Sequence, residues 1–291
     1  MGKEKDPNFE AARLSWRAAA DIFRRLLKIE APYLTDQDLK DVCITCTDLD
    51  LETGKPADGS ETFIRPMPAA RIHSIIKKTK PWLGCPLLEK DEDEWPEYAA
   101  MHVHYCLKHA VHAAIVESRP IDDMAVYWEM RCMRYDEGER LDRHELVGTA
   151  YEAAWSVHQL FEKMDPSTPH ISCLLRDGAL LQDDKLSHAE IMCILIITLR
   201  RWRDRIYNHH RIIPVTVVSA ADRQLRIVQG YVDDQDGHLH VRKSPMLDFS
   251  RFEQDKVELV VSWCVGDAVG DTLRHDVPEA LDVGRMQLLD D

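Results

Sequence analysis

Fourteen histidines, eight cysteines and a cluster of arginines are the side chains in this 291-residue chain whose chemistry could amount to a site. The densest segment runs from His102 to His112. On a helix, His102, Cys106 and His109 recur at i, i+4 and i+7 and share a face, and imidazole with thiolate suits zinc. The sequence names no fourth ligand, and zinc sites ordinarily use paired spacings. We therefore expect no metal and read these as ordinary histidines on a core-facing or half-exposed face. The alternative is a small-molecule enzyme that uses His102, His109 and His112 for acid–base work beside an unadvertised pocket.

Other constellations are also one member short. Cys43 and Cys46 form a single CxxC with extended flanks, whereas a zinc knuckle needs a second pair and a redox motif needs a helix start at the first Cys. Asp122, Glu129 and Arg131 echo the two carboxylates and one cation that hold a metal and a scissile phosphate in restriction-like nucleases. That reading would make the chain a degenerate nuclease-like fold, and solvated charges on a strand are the simpler account. Arg200, Arg201, Arg203, Arg205 and Arg211, with His209 and His210, form the one basic cluster. A helix C-terminus attracts cations of itself, and an anion or phosphate site is the alternative, with Arg201 and Arg205 on one face. The run from Asp233 to Gly237 resembles part of a calcium loop. Val232 and Lys243 fail at its first and twelfth positions, so we read a hairpin turn.

Absences narrow the classes further. There is no GxGxxG, P-loop, GxSxG, HExxH or deaminase signature, so no cofactor and no specific catalytic residue is expected. The net charge of −14 repels phosphate backbones and anionic membrane surfaces, which argues against general nucleic-acid binding. The longest apolar run, Ile191–Leu199, is too short to span a bilayer. The first residues lack an apolar signal core, and the scattered cysteines read as reduced thiols, so a soluble cytoplasmic protein is expected.

The elements that must position these groups are legible in part. Asp6-Pro7 opens a long amphipathic helix with Phe9, Ala12, Trp16, Ala19, Phe23, Leu26 and Leu27 on one face, ending near Ala31-Pro32. That face must dock on the chain's own core or on a partner protein. Thr35–Asp38 is a short capped turn of helix, and Val42–Leu51 is extended. Thr53–Pro68 is a loop, and Ala69–Lys78 a helix. The acidic run Glu89–Glu94, closed by Trp95-Pro96, is the one candidate boundary (89–97) in what otherwise reads as a single domain over 1–291. Helices are expected at Glu97–Glu117 and Leu141–Met164, with strands at Met124–Cys132 and His170–Leu175. Ser187-His188-Ala189-Glu190 is a capping box opening a helix that runs to Ile206. Three strands, Ile212–Ser219, Gln224–Val232 and His238–Arg242, are joined by tight turns as a meander. Lys256–Val265 closes as a helix. The expected class is α+β, with helices packed around a small antiparallel β-meander.

The segments Arg211–Ser219, Arg226–Tyr231 and Val241–Phe249 resemble a group of uncharacterised proteins of filamentous fungi, over about a third of the chain. Some of these are encoded beside secondary-metabolite enzymes. The resemblance implies a non-enzymatic accessory or interaction role there and carries over no catalytic residue.

Overall fold

Apolar residues at Ala12, Ala19, Ala20, Ile22, Phe23 and Leu26 form one buried stripe along α1 (Pro7–Leu26), at the three- and four-residue steps that put side chains on one helix face. The helix stops at Leu26, a turn before the expected Ala31. Its stripe is taken up by the chain's own core. The computed structural model describes residues 7–81, 96–118, 124–128, 147–150, 153–163 and 165–275. Asp122, Glu129, Arg131 and the acidic run 89–94 lie outside them.

Along the chain follow β1 (Tyr33–Leu34), α2 (Asp36–Asp41), β2 (Ile44–Asp48), β3 (Ile64–Arg65), α3 (Ala69–Thr79) and α4 (Pro96–Ser118). Then come β4 (Met124–Trp128), β5 (Val147–Ala150), β6 (Ala153–Lys163), β7 (Ile171–Asp177), β8 (Leu186–Ser187) and α5 (His188–Arg201). A 3-10 turn at Arg205–Tyr207 precedes β9 (Val215–Ala221), β10 (Gln224–Asp233), β11 (His238–Lys243), β12 (Leu247–Asp248), α6 (Gln254–Cys264) and β13 (Asp267–Ala268).

The architecture is α+β, but the expected small antiparallel sheet is not what forms. The meander β9-β10-β11 sits inside a mixed sheet ordered β2-β11-β10-β9-β7-β6-β4, with β12 on β10 and β5 on β6. Two pairs are parallel, β7 with β9 and β11 with β2. Helices cover both faces. On one, α1 and α5 bury Cys173, Leu175, Val217, Val228 and Val241. On the other, α3, α4 and α6 bury Leu174, Val218, Ala220 and Leu225. Covering both faces removes the alternation of apolar and polar residues, so all seven residues of β9 are buried.

The same effect explains a failed expectation. In place of the helix expected over Leu141–Met164, residues 147–150 and 153–163 form the hairpin β5–β6. Trp155, Val157, Leu160 and Phe161 in β6 are buried on both faces, with a register shift between Val157 and Gln159 that breaks the period of two. A strand buried this way reads like an apolar helix face.

Helix α5 is buried at every position except Arg200, as expected of a helix that is apolar all round. Its N-terminus carries the expected capping box: Glu190 N–H donates to Ser187 Oγ at 3.1 Å, and Ser187 N–H to Glu190 Oε2 at 2.9 Å. Gly230 on β10 lets α5 come close. A Cβ there would lie 3.0 Å from both Cδ1 and Cγ2 of Ile194. Gly230→Ala is expected to destabilise the protein by about 1–3 kcal/mol through overpacking, read as a lowered urea midpoint at unchanged m-value.

Candidate functional site

Two elements far apart in sequence form the walls of a groove of about 620 Å³. One wall is the first half of α1, with Phe9, Ala12, Arg13, Trp16 and Arg17; the other is the chain leaving α5, with Trp202, Arg203, Arg205 and Asn208. Trp202 is the C-cap of α5, its N–H bonding back to the helix. Asp204 then caps the 3-10 turn by accepting from Ile206 N–H at 3.3 Å. That turn carries Arg205 outward and Tyr207 inward, where the Arg201 guanidinium lies 3.8 Å from the Tyr207 ring centroid.

The wall on α1 is held by a polar lock beneath it. Ser15 is fully buried and its Oγ donates to Asp234 Oδ2 at 2.5 Å. Arg274 Nη1 donates to the same carboxylate oxygen at 2.7 Å, and its Nη2 reaches Ser15 Oγ. The turn at 233–237 is thus a hairpin turn, as expected. It also ties α1 to the segment after β13, while Asp233 accepts from Arg211 Nη1 at 2.6 Å. On the far side, His210 Nδ1 lies 2.8 Å from Thr272 Oγ1 and Nε2 lies 3.0 Å from the Pro166 carbonyl oxygen. Burial, with its neighbours His209, Arg201 and Arg274, lowers His210 to about 4, so it serves as a neutral bridge at neutral pH.

The groove is cationic and aromatic. Four arginines line it with no lining carboxylate, among three aromatic rings. The Arg205 guanidinium lies 5.6 Å from the Phe9 ring centroid, within cation–π range. Glu10 Oε2 lies 3.5 Å from Arg13 Nη2 on the exposed face of α1. Such exposed pairs contribute little, so Arg13 can turn to a stronger anion. The chain's overall negative charge does not cancel this field, because charges beyond about 8 Å are screened at physiological salt.

The basic cluster read from sequence therefore divides. Arg203 and Arg205 face the groove. Arg201, expected to share an anion-binding face with Arg205, turns inward to pair with Glu162 and is 8% exposed, which corrects that expectation. Arg211 is held by Asp233. Arg13 and Arg17 complete the site. They lie nearly 190 residues earlier, on the helix whose apolar face alone is singled out in the sequence. The signal available for them was the i, i+4 arginine pair bracketing Trp16.

The other candidates are not assembled. His102 and His109 are half-buried, Cys106 is buried and His112 is exposed on α4. Tyr105 packs edge-on against His109, with ring centroids 4.6 Å apart. Among the described residues no group of three or more His, Cys, Asp or Glu is placed to hold a metal. The most perturbed histidine of the helix is His104, which is fully buried and stacks on His158. Burial first, and the neighbouring His158 second, lower it to about 3. Cys43 and Cys46 are free thiols, and Cys43 Sγ lies 3.3 Å from Arg25 Nη1. Among the described residues no helix is long and apolar enough to cross a membrane.

No protein-family model, curated protein or solved structure matches the chain.

Proposed function

We propose that the protein is a non-enzymatic binding protein whose groove between α1 and the end of α5 holds an organic anion with an aromatic or apolar body. The observation that carries this reading is the lining itself: four guanidiniums and three aromatic rings with no carboxylate among them. Guanidinium presents its donors in a planar fork that matches carboxylate, sulfonate or phosphate oxygens, and it remains charged at any relevant pH. The indole and phenyl surfaces bury the body of the ligand. A volume of about 620 Å³ falls within the range of small-molecule sites. No lining side chain is a nucleophile or exchanges a proton near neutral pH, which favours holding a ligand over transforming it. An accessory role beside fungal biosynthetic enzymes, implied by the C-terminal resemblance, accords with a protein that carries an acid without converting it.

Trp16 and Trp202 make the test direct. Naphthoate is expected to quench tryptophan fluorescence saturably, and more weakly as salt rises. Naphthylmethylammonium, with the same rings and the opposite charge, is expected to give no saturable quenching. Equal binding of the two would remove the anion from the account.

A further inference from the structure

We infer that the groove takes a phosphate monoester of an aromatic body, one acid group that carries two negative charges. This rests on the groove being the anion site and names the class of ligand it holds.

The charge of the two walls sets the count. The stretch 7–17 carries Arg13 and Arg17 against Glu10, and the stretch 202–208 carries Arg203 and Arg205 against Asp204. Each wall brings one positive charge in excess, and the groove therefore two. Neither acid lines it. Glu10 lies beside Arg13 on the exposed face of α1, and the Asp204 carboxylate accepts the Ile206 N–H within its own 3-10 turn. A carboxylate or sulfonate ligand matches one of the two excess charges and leaves the other uncompensated. A phosphate monoester is doubly ionised above its second pKa of about 6 and matches both.

The placement of the cations suits one doubly charged centre better than two separate acids. Phe9, Arg13 and Arg17 follow one another at four-residue steps and so stand in one row on α1, with about 6 Å between neighbouring Cβ atoms. Arg205 reaches this row from the other wall, its guanidinium 5.6 Å from the Phe9 ring centroid. A cation of the second wall thus stands beside Phe9, one helical turn from Arg13. One guanidinium fork occupies both oxygens of a carboxylate, whereas the three terminal oxygens of a phosphate accept from forks on both walls at once. All four arginines are exposed, so the attraction acts through water and falls as salt rises.

Calorimetric titration of 2-naphthyl phosphate and 2-naphthyl sulfate at pH 8 compares the same rings and the same terminal oxygens at two charges and at one. The wild-type protein is expected to bind the phosphate about tenfold more tightly at low salt, and about twofold in half-molar salt. Glu10→Gln raises the excess to three charges and should widen the preference. Arg205→Gln lowers it to one and should narrow the preference, with urea midpoints reporting that both variants stay folded. Equal wild-type affinities for the two esters would overturn the inference and leave the anion site standing. A preference unmoved in both variants would overturn the charge count that carries it. Naphthalene-2,6-dicarboxylate binding as tightly as the phosphate would point to two separate acids and overturn the phosphate assignment. If neither ester binds saturably, the groove reading falls, and this inference with it.

Discussion

Arg226→Leu is expected to destabilise the protein by about 3–5 kcal/mol, the range for leaving one member of a buried ion pair without its partner. Arg226 and Glu190 are both fully buried. The guanidinium donates from Nε to Glu190 Oε1 at 2.8 Å and from Nη2 to Oε2 at 2.6 Å. It also donates to the carbonyl oxygens of Gln182 at 2.7 Å and Lys185 at 2.8 Å. The pair thus joins β10 to the start of α5 and to the loop before it. In the variant, Glu190 must either stay ionised without a cation or take up a proton, and the loop carbonyls lose their donors. The double variant Arg226→Met, Glu190→Leu should recover a large part of the loss, because removing both charges removes the unpaired one. Urea melts of the three proteins check this. A single variant within 1 kcal/mol of wild type would mean that the pair is not buried as described.

Acidification from pH 7 to pH 4 is the second large effect. Burial is the first cause holding His104 at about 3, His170 at about 4 and His210 at about 4, all below the ordinary 6.5. A histidine depressed in the folded state contributes stability that is complete above the unfolded value and lost as pH falls toward the folded one. Between pH 6.5 and 4 the unfolded chain binds up to three more protons than the native one. At 1.36 kcal/mol per unit, each group accounts for roughly 3 kcal/mol or more. Asp177 works in the opposite direction. Burial raises it to about 6 from 3.8, partly offset by Ser187 Oγ and the Ala179 N–H, which donate to it at 2.5 and 2.9 Å. Its protonation on acidification favours the native state, by on the order of 3 kcal/mol. Three groups against one leave a net loss of several kcal/mol, a large share of the 5–15 kcal/mol that holds an ordinary domain together. Unfolding free energy measured at half-unit pH steps should fall steadily below pH 6.5. In His104→Gln its slope should be shallower by up to one proton. A flat profile from pH 6.5 to 4 would contradict the burial of these rings.

The residues that could be read correctly from sequence are those whose cause is local. The capped turn at Thr35 and the box at Ser187 are made by side chains three residues apart, and both form, the first as a full capping box as well. The turns of the meander are local too: Asp222 and Gly237 take positive φ between β9, β10 and β11. The sheet around that meander was not legible, because β7 joins β9 in parallel across the whole of α5, and β2 joins β11 from almost 200 residues away. Half of the groove was legible for the same local reason. Arg203 and Arg205 belong to a visible basic cluster, whereas Arg13 and Arg17 reach it only because Ser15, Asp234 and Arg274 pin α1 in place. A lock built from three distant segments has no signature in any one of them.

The groove's anion specificity is tested most directly by calorimetric titration of naphthoate into the wild-type protein and into Arg13→Gln/Arg17→Gln. Both substitutions lie on the exposed face of α1, away from its buried stripe, so the fold should be retained. The expected result is saturable binding at one site in the wild type, weakened at least tenfold in the double variant, with unchanged unfolding curves. Binding of equal strength in the two proteins would contradict the account, because the guanidiniums on α1 would then have no part in holding the anion.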